Sequence, residues 1–186
     1  MDEELTVEGV VSGSQASLPG CSVYVYDNGS VDTTVERAQT AGALIRVEST
    51  LGKGSVARQE FADVDADVYV MADGDGTYDP AEAPLLVKRL MEDRLDMAVG
   101  CRVGPFGRPG HRLGNRVFNH LYRWLFGTGF TDIFSGHRVL SRRFVKSFPA
   151  VSTGFDIETE KSVHASQLRE PSAEVEVAYR ARPEGS

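Results

Sequence analysis

Two aspartates that could bind a ligand, Asp73 and Asp75, lie in the segment DGDGTYDP, directly after the apolar run ADVYVMA. A short run of that kind predicts a strand buried inside a parallel sheet. Open α/β sheets bind ligands at the carboxyl ends of their strands, where these aspartates lie. One or two carboxylates completed by substrate phosphates are typical ligands of Mg²⁺ or Mn²⁺. We therefore expect a divalent-cation site, the alternative being an acidic turn that caps a helix.

A third aspartate, Asp27, follows the β-rich run CSVYVY at another predicted strand end. Its carboxylate can accept a hydrogen bond from a nucleoside base or ribose, while Asp32 is placed to cap the next helix. Turn chemistry alone is the alternative explanation for both residues.

The segment Gly52, Lys53, Gly54 suggests a phosphate-binding loop, but the glycine that opens a P-loop is missing upstream. Lys53 can still reach a phosphate, because the glycines allow a close approach of the backbone. No predicted strand leads into a GxGxxG sequence, and Thr77 and Tyr78 do not fit an EF-hand loop. Dinucleotide and calcium-loop assignments are therefore disfavoured.

Basic residues are concentrated in one part of an acidic chain. Between Arg102 and Lys146 there are nine Lys and Arg against one acid, Asp132, so this stretch carries +8 in a chain of net charge −7. The overall charge argues against nucleic acid as a partner. The basic stretch favours a local anionic partner such as a phosphate or an acidic lipid surface, the alternative being a solvated face.

The predicted helix His111–Gly127 is amphipathic. Arginines at 112, 116 and 123 share one face, and the opposite face carries Leu113, Val117, Phe118, Leu121, Trp124 and Leu125. This pattern is typical of a helix at a membrane interface. An ordinary surface helix with its apolar side in the core is the other interpretation.

The elements that must position these residues alternate between short strands and helices, which predicts βαβ units and a parallel sheet with helices on both faces. With 186 residues and 41% hydrophobic content, the chain suits one α/β domain over residues 1–186. Two cysteines without ligand spacing favour a reducing, cytoplasmic setting. We find no apolar run of about 18 residues.

Several segments together resemble a known family. VYVYDNGSVDTT, LGKGSVAR, DADVYVMADGDGTYDP, GCR and TDIFSGHRVLSRR stand in the order and spacing of family 2 glycosyltransferases of the GT-A fold. The chain is most similar to the branch that loads a sugar onto polyprenyl phosphate, the dolichyl-phosphate mannose synthase type. The resemblance implies a Rossmann-like α/β fold and inverting transfer from a UDP- or GDP-sugar to polyprenyl phosphate. It also implies peripheral contact with an anionic membrane at its cytoplasmic face.

The resemblance also assigns roles on the donor side. Asp27 matches the carboxylate that contacts the nucleotide base, and Lys53 matches the basic residue of the GKG loop. Asp73 and Asp75 match the DxD pair, with Asp73 near the diphosphate and both residues on Mg²⁺ or Mn²⁺.

On the acceptor side, the resemblance implies that Arg102 and Arg112 face the acceptor phosphate. The D-x-x-S-G-x-R segment beside the sugar and acceptor falls on Asp132, Ser135, Gly136 and Arg138. With Arg102 and Arg112, Arg138 would clamp the attacking phosphate, which is a dianion and needs no strong base. Asp132 would orient a donor hydroxyl, act as a base, or pair with Arg138.

The family opens with an apolar strand and a Pro-x-x-Asn-Glu motif, and Met1 to Glu4 match the residues that follow them. The resemblance therefore implies a domain without the first strand, truncated at both ends, with a cut nucleotide pocket. The competing hypothesis is a degenerate, inactive glycosyltransferase domain that binds a nucleotide or an anionic membrane surface.

Overall fold

The computed structural model describes residues 2–103, 109–127 and 130–180, with the backbone alone at 103 and 109–116. The helices are α1 (Val7–Ser17), α2 (Thr34–Thr40), α3 (Lys53–Asp63), α4 (Ala83–Glu92), α5 (Pro109–Phe126), α6 (Arg142–Ser147) and α7 (Ile157–Leu168). The strands are β1 (Tyr24–Asp27), β2 (Leu44–Val47), β3 (Val68–Met71), β4 (Met97–Val103), β5 (Arg138–Ser141) and β6 (Ser172–Ala178).

The described strands form two sheets. β1 and β2 pair in parallel, and a second sheet has the order β3-β5-β4-β6. In that sheet β4 and β6 are parallel, whereas β5 runs antiparallel to both of its neighbours. The predicted α/β class with a mostly parallel sheet is confirmed. β5 and α6 were not predicted.

Helices cover both faces of the four-stranded sheet, as predicted. On one face, Met97 and Leu140 pack with Phe61 of α3, Phe144 of α6 and Ile157 of α7. The other face packs against the apolar side of α4, in a core of Leu86, Leu90, Ala98, Val139 and Val177. Because both faces are buried, the strands carry apolar residues without strict alternation.

The smaller sheet is covered by α1 and α2, whose buried residues Val7, Val11 and Ala38 pack with Ala43. Thr6, which directly precedes α1, contacts the loop after β3, since its hydroxyl donates to the Gly74 carbonyl at 2.7 Å. Among the described strands, β1 and β3 each lie at a sheet edge.

The start of α4 follows the sequence closely. Asp79 accepts a hydrogen bond from the Ala81 amide, and Pro80 begins a single 3₁₀ turn that leads into the α-helix. An aspartate cap followed by proline is the arrangement that the dipeptide Asp79–Pro80 favours.

The amphipathic helix α5 lies with its apolar side outward. Val117, Phe118, Leu121, Trp124 and Leu125 are all exposed, Trp124 by 77%. The contacts of α5 with the domain include that of Tyr122, which is buried and donates to the Ser162 carbonyl at 2.8 Å, and that of Asn119, which accepts from the Ile133 amide at 3.2 Å. For these residues, the interpretation that places the apolar side in the core is wrong.

Within the described ranges, no helix combines the length and hydropathy needed to cross a bilayer.

Candidate active site

Several of the predicted site residues lie at one edge of the four-stranded sheet. Asp73 and Asp75 follow β3, and Arg102 lies near the carboxyl end of β4. β5 is antiparallel, with Arg138 aligned to Met71 and Val99, so the loop that leads into β5 reaches the same edge. The strand that the sequence did not reveal is thus the one that brings the DxxSG segment to the aspartates.

Asp73 is held by a lysine from α3. The Lys53 ammonium donates to Asp73 Oδ1 at 2.6 Å, and the side chains are 23% and 37% exposed. Gly136 lies against this pair, because a Cβ at that position would be 2.5 Å from Asp73 Oδ2 and 2.9 Å from Lys53 Nζ. Three residues from separate segments, all named from the sequence, therefore meet at one point.

Asp75 is shaped by its own turn. Its Oδ1 accepts from the Thr77 amide at 3.0 Å and from the Thr77 hydroxyl at 2.7 Å, which orients the carboxylate. Among the described residues no hydrogen bond is found to Oδ2 of either Asp73 or Asp75. Each carboxylate therefore keeps an oxygen for a ligand.

In donor chemistry, two aspartate carboxylates suit a divalent cation that completes its coordination with a substrate. The described residues hold no cluster of three or more His, Cys, Asp or Glu side chains able to bind a metal. A pair of carboxylates with free oxygens is the donor set by which Mg²⁺ is bound together with substrate phosphates. The hydrogen bonds on their other oxygens resemble the outer contacts that orient metal ligands elsewhere.

Contacts within the chain explain why glycine occupies two positions of the GKG loop. A Cβ at Gly52 would be 2.2 Å from the Thr153 carbonyl oxygen, and one at Gly54 would be 2.0 Å from the Ser152 carbonyl oxygen. Gly52 also has a φ of +123°, and the Gly54 amide donates to the Thr153 carbonyl at 2.9 Å. The close approach that the glycines permit is therefore to the backbone before α7, which corrects the expectation that they make room for a phosphate.

Glu158 was not identified as a site residue from the sequence. It lies in α7, is 3% exposed, and contacts three cations at 3.1 Å each: Lys53, Arg138 and Lys161. Burial alone would raise the pKa of Glu158, but Lys161, Lys53 and Arg138 outweigh it and lower that pKa to about 2. An ionised carboxylate therefore lies directly behind Lys53. The GFDIETE sequence places acids in the first turn of a helix, which gave no sign of the cations around them.

Lys53 stands between two carboxylates and is consequently held in its charged form. Burial would lower its pKa, but Glu158 and Asp73 together raise it above the usual range. The lysine predicted from the sequence is thus a fixed positive charge at the site.

Asp132 is committed to Arg102. The guanidinium makes two bonds to the carboxylate, both 2.6 Å, and the side chains are 12% and 8% exposed. Burial would lower the pKa of Arg102, but the hydrogen bonds to the charged Asp132 outweigh it and raise that pKa. Glu174 of β6 accepts from the Asp132 amide at 2.9 Å and fixes this loop. The predicted pairing of Asp132 with Arg138 is wrong, since the partner is Arg102.

Arg138 does not lie in the cleft. It opens β5, is 0% exposed, and donates to the carbonyls of Ser135 and Ile133 at 2.9 Å, besides its ion pair with Glu158. Its assignment as a clamp for the attacking phosphate is therefore wrong. A central strand directs this side chain into the core, where it supports the loop before β5.

Ser135 is equally internal. Its hydroxyl donates to the Gly100 carbonyl at 2.6 Å, and the Gly136 amide donates to the Tyr78 hydroxyl at 3.2 Å. These bonds set the course of the DxxSG loop past Asp73.

Asp27 ends β1 and is buried, with Oδ1 accepting from the Ser30 amide at 3.1 Å. Its neighbour Asn28 accepts from the Gly52 amide at 2.8 Å and so ties this strand end to the GKG loop. No described contact joins Asp27 to Asp73, and its role toward a base stays a prediction. The side chain of Arg112 lies outside the described residues.

The sequence matches the family description Glycosyl transferase family 2 over residues 4–147. Among curated proteins, the chain is 41% identical to Protein RfbJ of Shigella flexneri over 115 residues, which are 62% of this chain and 89% of RfbJ. It is 37% identical to Glycosyltransferase AglJ of Haloferax volcanii over 171 residues, which are 89% of this chain and 56% of AglJ. The chain therefore spans little more than half the length of AglJ.

Solved structures of glucosyl-3-phosphoglycerate synthase from Mycobacterium tuberculosis share the fold. The complex of that enzyme with UDP has a TM-score of 0.83 at 23% identity, covering 100% of this chain and 70% of that one. Its complex with Mn²⁺, UDP and phosphoglyceric acid has a TM-score of 0.82 at 24% identity, covering 98% and 69%. At such identities the likeness shows the fold alone, and the predicted GT-A architecture is confirmed.

Proposed function

The chain belongs to glycosyl transferase family 2, and from that premise we propose that it transfers a sugar from a nucleotide-sugar to a polyprenyl phosphate, with inversion and with Mg²⁺ or Mn²⁺. The observation that carries the proposal is the pair Asp73 and Asp75 at the carboxyl end of β3, each with an oxygen left for a cation. Relatives named as glycosyltransferases and neighbours solved with UDP and Mn²⁺ support the donor and metal parts.

On the donor side, Asp73 and Asp75 would hold the cation and, through it, the diphosphate of a UDP- or GDP-sugar. The bound cation would supply the positive charge that stabilises the departing nucleoside diphosphate. Lys53, fixed in its charged form beside Asp73, adds a second positive charge at the same place. We assign Asp27, at the end of β1, to the nucleoside.

On the acceptor side, the attacking phosphate is already an anion, so the protein must neutralise charge more than remove a proton. We assign Arg102, whose side chain lies at this edge, to the acceptor phosphate. We assign Arg112 to the same phosphate from the resemblance. Both carboxylate oxygens of Asp132 bind Arg102, so we assign Asp132 to orienting that guanidinium. A role for Asp132 as a general base receives no support from this pairing.

The exposed face of α5 supports the membrane part of the proposal. A polyprenyl chain resides in lipid, and α5 presents Phe118, Leu121, Trp124 and Leu125 to solvent in the basic stretch of the sequence. Amphipathic helices of this composition bury their apolar side at the boundary of headgroups and acyl chains. We propose that α5 rests on an anionic membrane surface while the site faces the acceptor phosphate.

The test of the function is a transfer assay with the purified chain, Mn²⁺, and UDP- or GDP-hexoses. A short-chain polyprenyl phosphate in anionic vesicles is the acceptor, and 3-phosphoglycerate is the soluble comparison. Sugar transfer to the lipid phosphate supports the proposal. Transfer to 3-phosphoglycerate alone would overturn the acceptor assignment. Metal-dependent nucleotide binding without any transfer would favour the degenerate, inactive domain.

Membrane contact is tested separately with Trp124→Gln and, as a control, Met91→Gln, which alters an exposed apolar side chain on α4. We expect Trp124→Gln to reduce co-sedimentation with vesicles containing phosphatidylserine, and Met91→Gln to leave it unchanged. The variant would bury less apolar surface in the membrane interface, which should lower the membrane partition coefficient roughly 10-fold. Equal sedimentation of all three proteins would contradict the proposed surface.

A further inference from the structure

A buried carboxylate stands directly behind the proposed metal site. We infer that Glu158 is a positioning residue that holds Lys53 and, through Lys53, sets the orientation of Asp73 for cation binding. The inference rests on the proposed function, because it assigns a task to Glu158 within the same site. Nothing in the sequence pattern of α7 distinguishes this acid from its neighbour Glu160.

The contacts form a chain from the core to the surface. Lys53 Nζ lies 3.1 Å from Glu158 Oε1 and 2.6 Å from Asp73 Oδ1, so one ammonium is shared between an inner and an outer carboxylate. A lysine has a flexible stem and many rotamers. The inner carboxylate gives it a second anchor, on α7, and thereby fixes the direction from which Asp73 is contacted.

The charges show why this matters for a cation. With Glu158 in place, the positive charge of Lys53 is divided between two carboxylates. Without Glu158, a larger share of the charge of Lys53 would face Asp73 and oppose a divalent ion at that carboxylate. Loss of an outer partner of a metal ligand typically lowers metal affinity by about 10- to 100-fold.

Glu158 also supports the fold, and the test must separate the two effects. It contacts Lys161 and Arg138 at 3.1 Å, and both cations are fully buried. Lys161 provides a matched control, since it binds the same carboxylate from inside and its described polar contacts are to Glu158 and to the Met71 sulfur. Lys161→Met therefore disturbs the buried cluster and leaves the link from Lys53 to Asp73 in place.

The experiment measures the apparent Kd of Mn²⁺ by isothermal titration, in the presence of UDP or GDP, whichever the parent chain binds more tightly. We expect Glu158→Gln to weaken Mn²⁺ binding by roughly 10-fold. Lys161→Met should change it by less than about 2-fold, although both variants lower the urea midpoint. In a Lys53→Met background, Glu158→Gln should have almost no further effect, since coupled residues are non-additive.

A second variant keeps the test decisive if Glu158→Gln does not fold. Glu158→Asp retains the buried negative charge but withdraws the carboxylate from Lys53, and it should still weaken Mn²⁺ binding several-fold. Unchanged Mn²⁺ affinity in the Glu158 variants, or an equal loss with and without Lys53, would overturn the inference while leaving the proposed function intact. A parent chain that binds no Mn²⁺ with either nucleotide would overturn both.

Discussion

At the scale of single residues, the site is organised by shared charges. Arg102 and Asp132 bind each other through two bonds, and Lys53 divides its charge between Asp73 and Glu158. The planar guanidinium matches a carboxylate in a way that an ammonium does not. For the proposed acceptor side, we therefore expect side-chain geometry to matter as well as net charge.

Arg102→Lys tests this point, because it keeps the positive charge and removes the two parallel hydrogen bonds to Asp132. We expect kcat/KM for the phosphate acceptor to fall by more than about 10-fold, since a lysine binds as a point charge. The Kd for Mn²⁺ and nucleotide should be unchanged.

The control for that variant is Arg143→Lys. Arg143 binds Asp96 through two bonds at the start of β4, at the opposite end of that strand from Arg102. Transfer by the control should equal that of the parent. A similar loss of transfer in both variants would mean that the effect of Arg102→Lys comes from general destabilisation.

At the scale of elements, the start of α3 is packed against the backbone that precedes α7. Gly54 is the second residue of α3, and the carbonyl of Ser152 occupies the space that a side chain would need. This contact joins the helix that carries Lys53 to the helix that carries Glu158.

Gly54→Ala should therefore lower the free energy of unfolding by at least about 2 kcal/mol, because a Cβ would meet backbone and not a flexible side chain. Gly9→Ala is the matched control. Gly9 lies inside α1, and a Cβ there has nothing within 4 Å, so alanine should stabilise the helix by about 0.5–1 kcal/mol. Urea unfolding measures both, and a Gly54→Ala protein as stable as the parent would contradict the packing described.

Most elements could be predicted because their signals are local. The apolar run before Asp73 marks β3, and Asp79 with Pro80 marks the turn into α4. β5 was missed because its four residues follow a glycine and a histidine without any alternation, and its pairing with β3 and β4 is formed only in the tertiary fold. The error over Arg138 follows from the same omission, because the arginine of the DxxSGxR segment was assigned to the acceptor before it was known to lie on a central strand.

At the scale of the whole molecule, the two aspartates after β3, the lysine of α3 and the DxxSG loop could be assigned to one site only through the resemblance of their motifs to the family. The partners behind them could not. Glu158 is separated from Lys53 by about a hundred residues, and its importance comes from three cations supplied by different elements. A sequence pattern records which residues are present and carries no information on which charges meet in the core.

The fold also predicts a dependence of stability on pH. His137 is 2% exposed and stacked on Tyr78, and burial lowers the pKa of its imidazole below 6.5. The unfolded chain therefore takes up a proton at a higher pH than the folded chain does, so stability decreases as the pH falls below about 6.5.

His137→Phe keeps an aromatic ring against Tyr78 and removes the titration. Between pH 7.5 and pH 5.0 the parent should lose more stability than the variant, by up to about 1.4 kcal/mol per pH unit below pH 6.5. The comparison is made on the change in the urea midpoint with pH, which does not depend on how well phenylalanine fits. Identical changes in both proteins would show that His137 does not contribute.

The assignment of Asp73 and Asp75 to a metal and a diphosphate is tested most directly by isothermal titration of UDP and GDP with and without Mn²⁺. The titration is made with the parent chain, Asp75→Ala and Asp79→Ala. Asp79 is a matched acid four positions along the chain that caps the turn into α4 and pairs with Arg180. We expect Mn²⁺-dependent binding in the parent and in Asp79→Ala, and its loss in Asp75→Ala. Binding that is independent of Mn²⁺, or equally strong in Asp75→Ala, would contradict the assignment of these aspartates to the metal and the diphosphate.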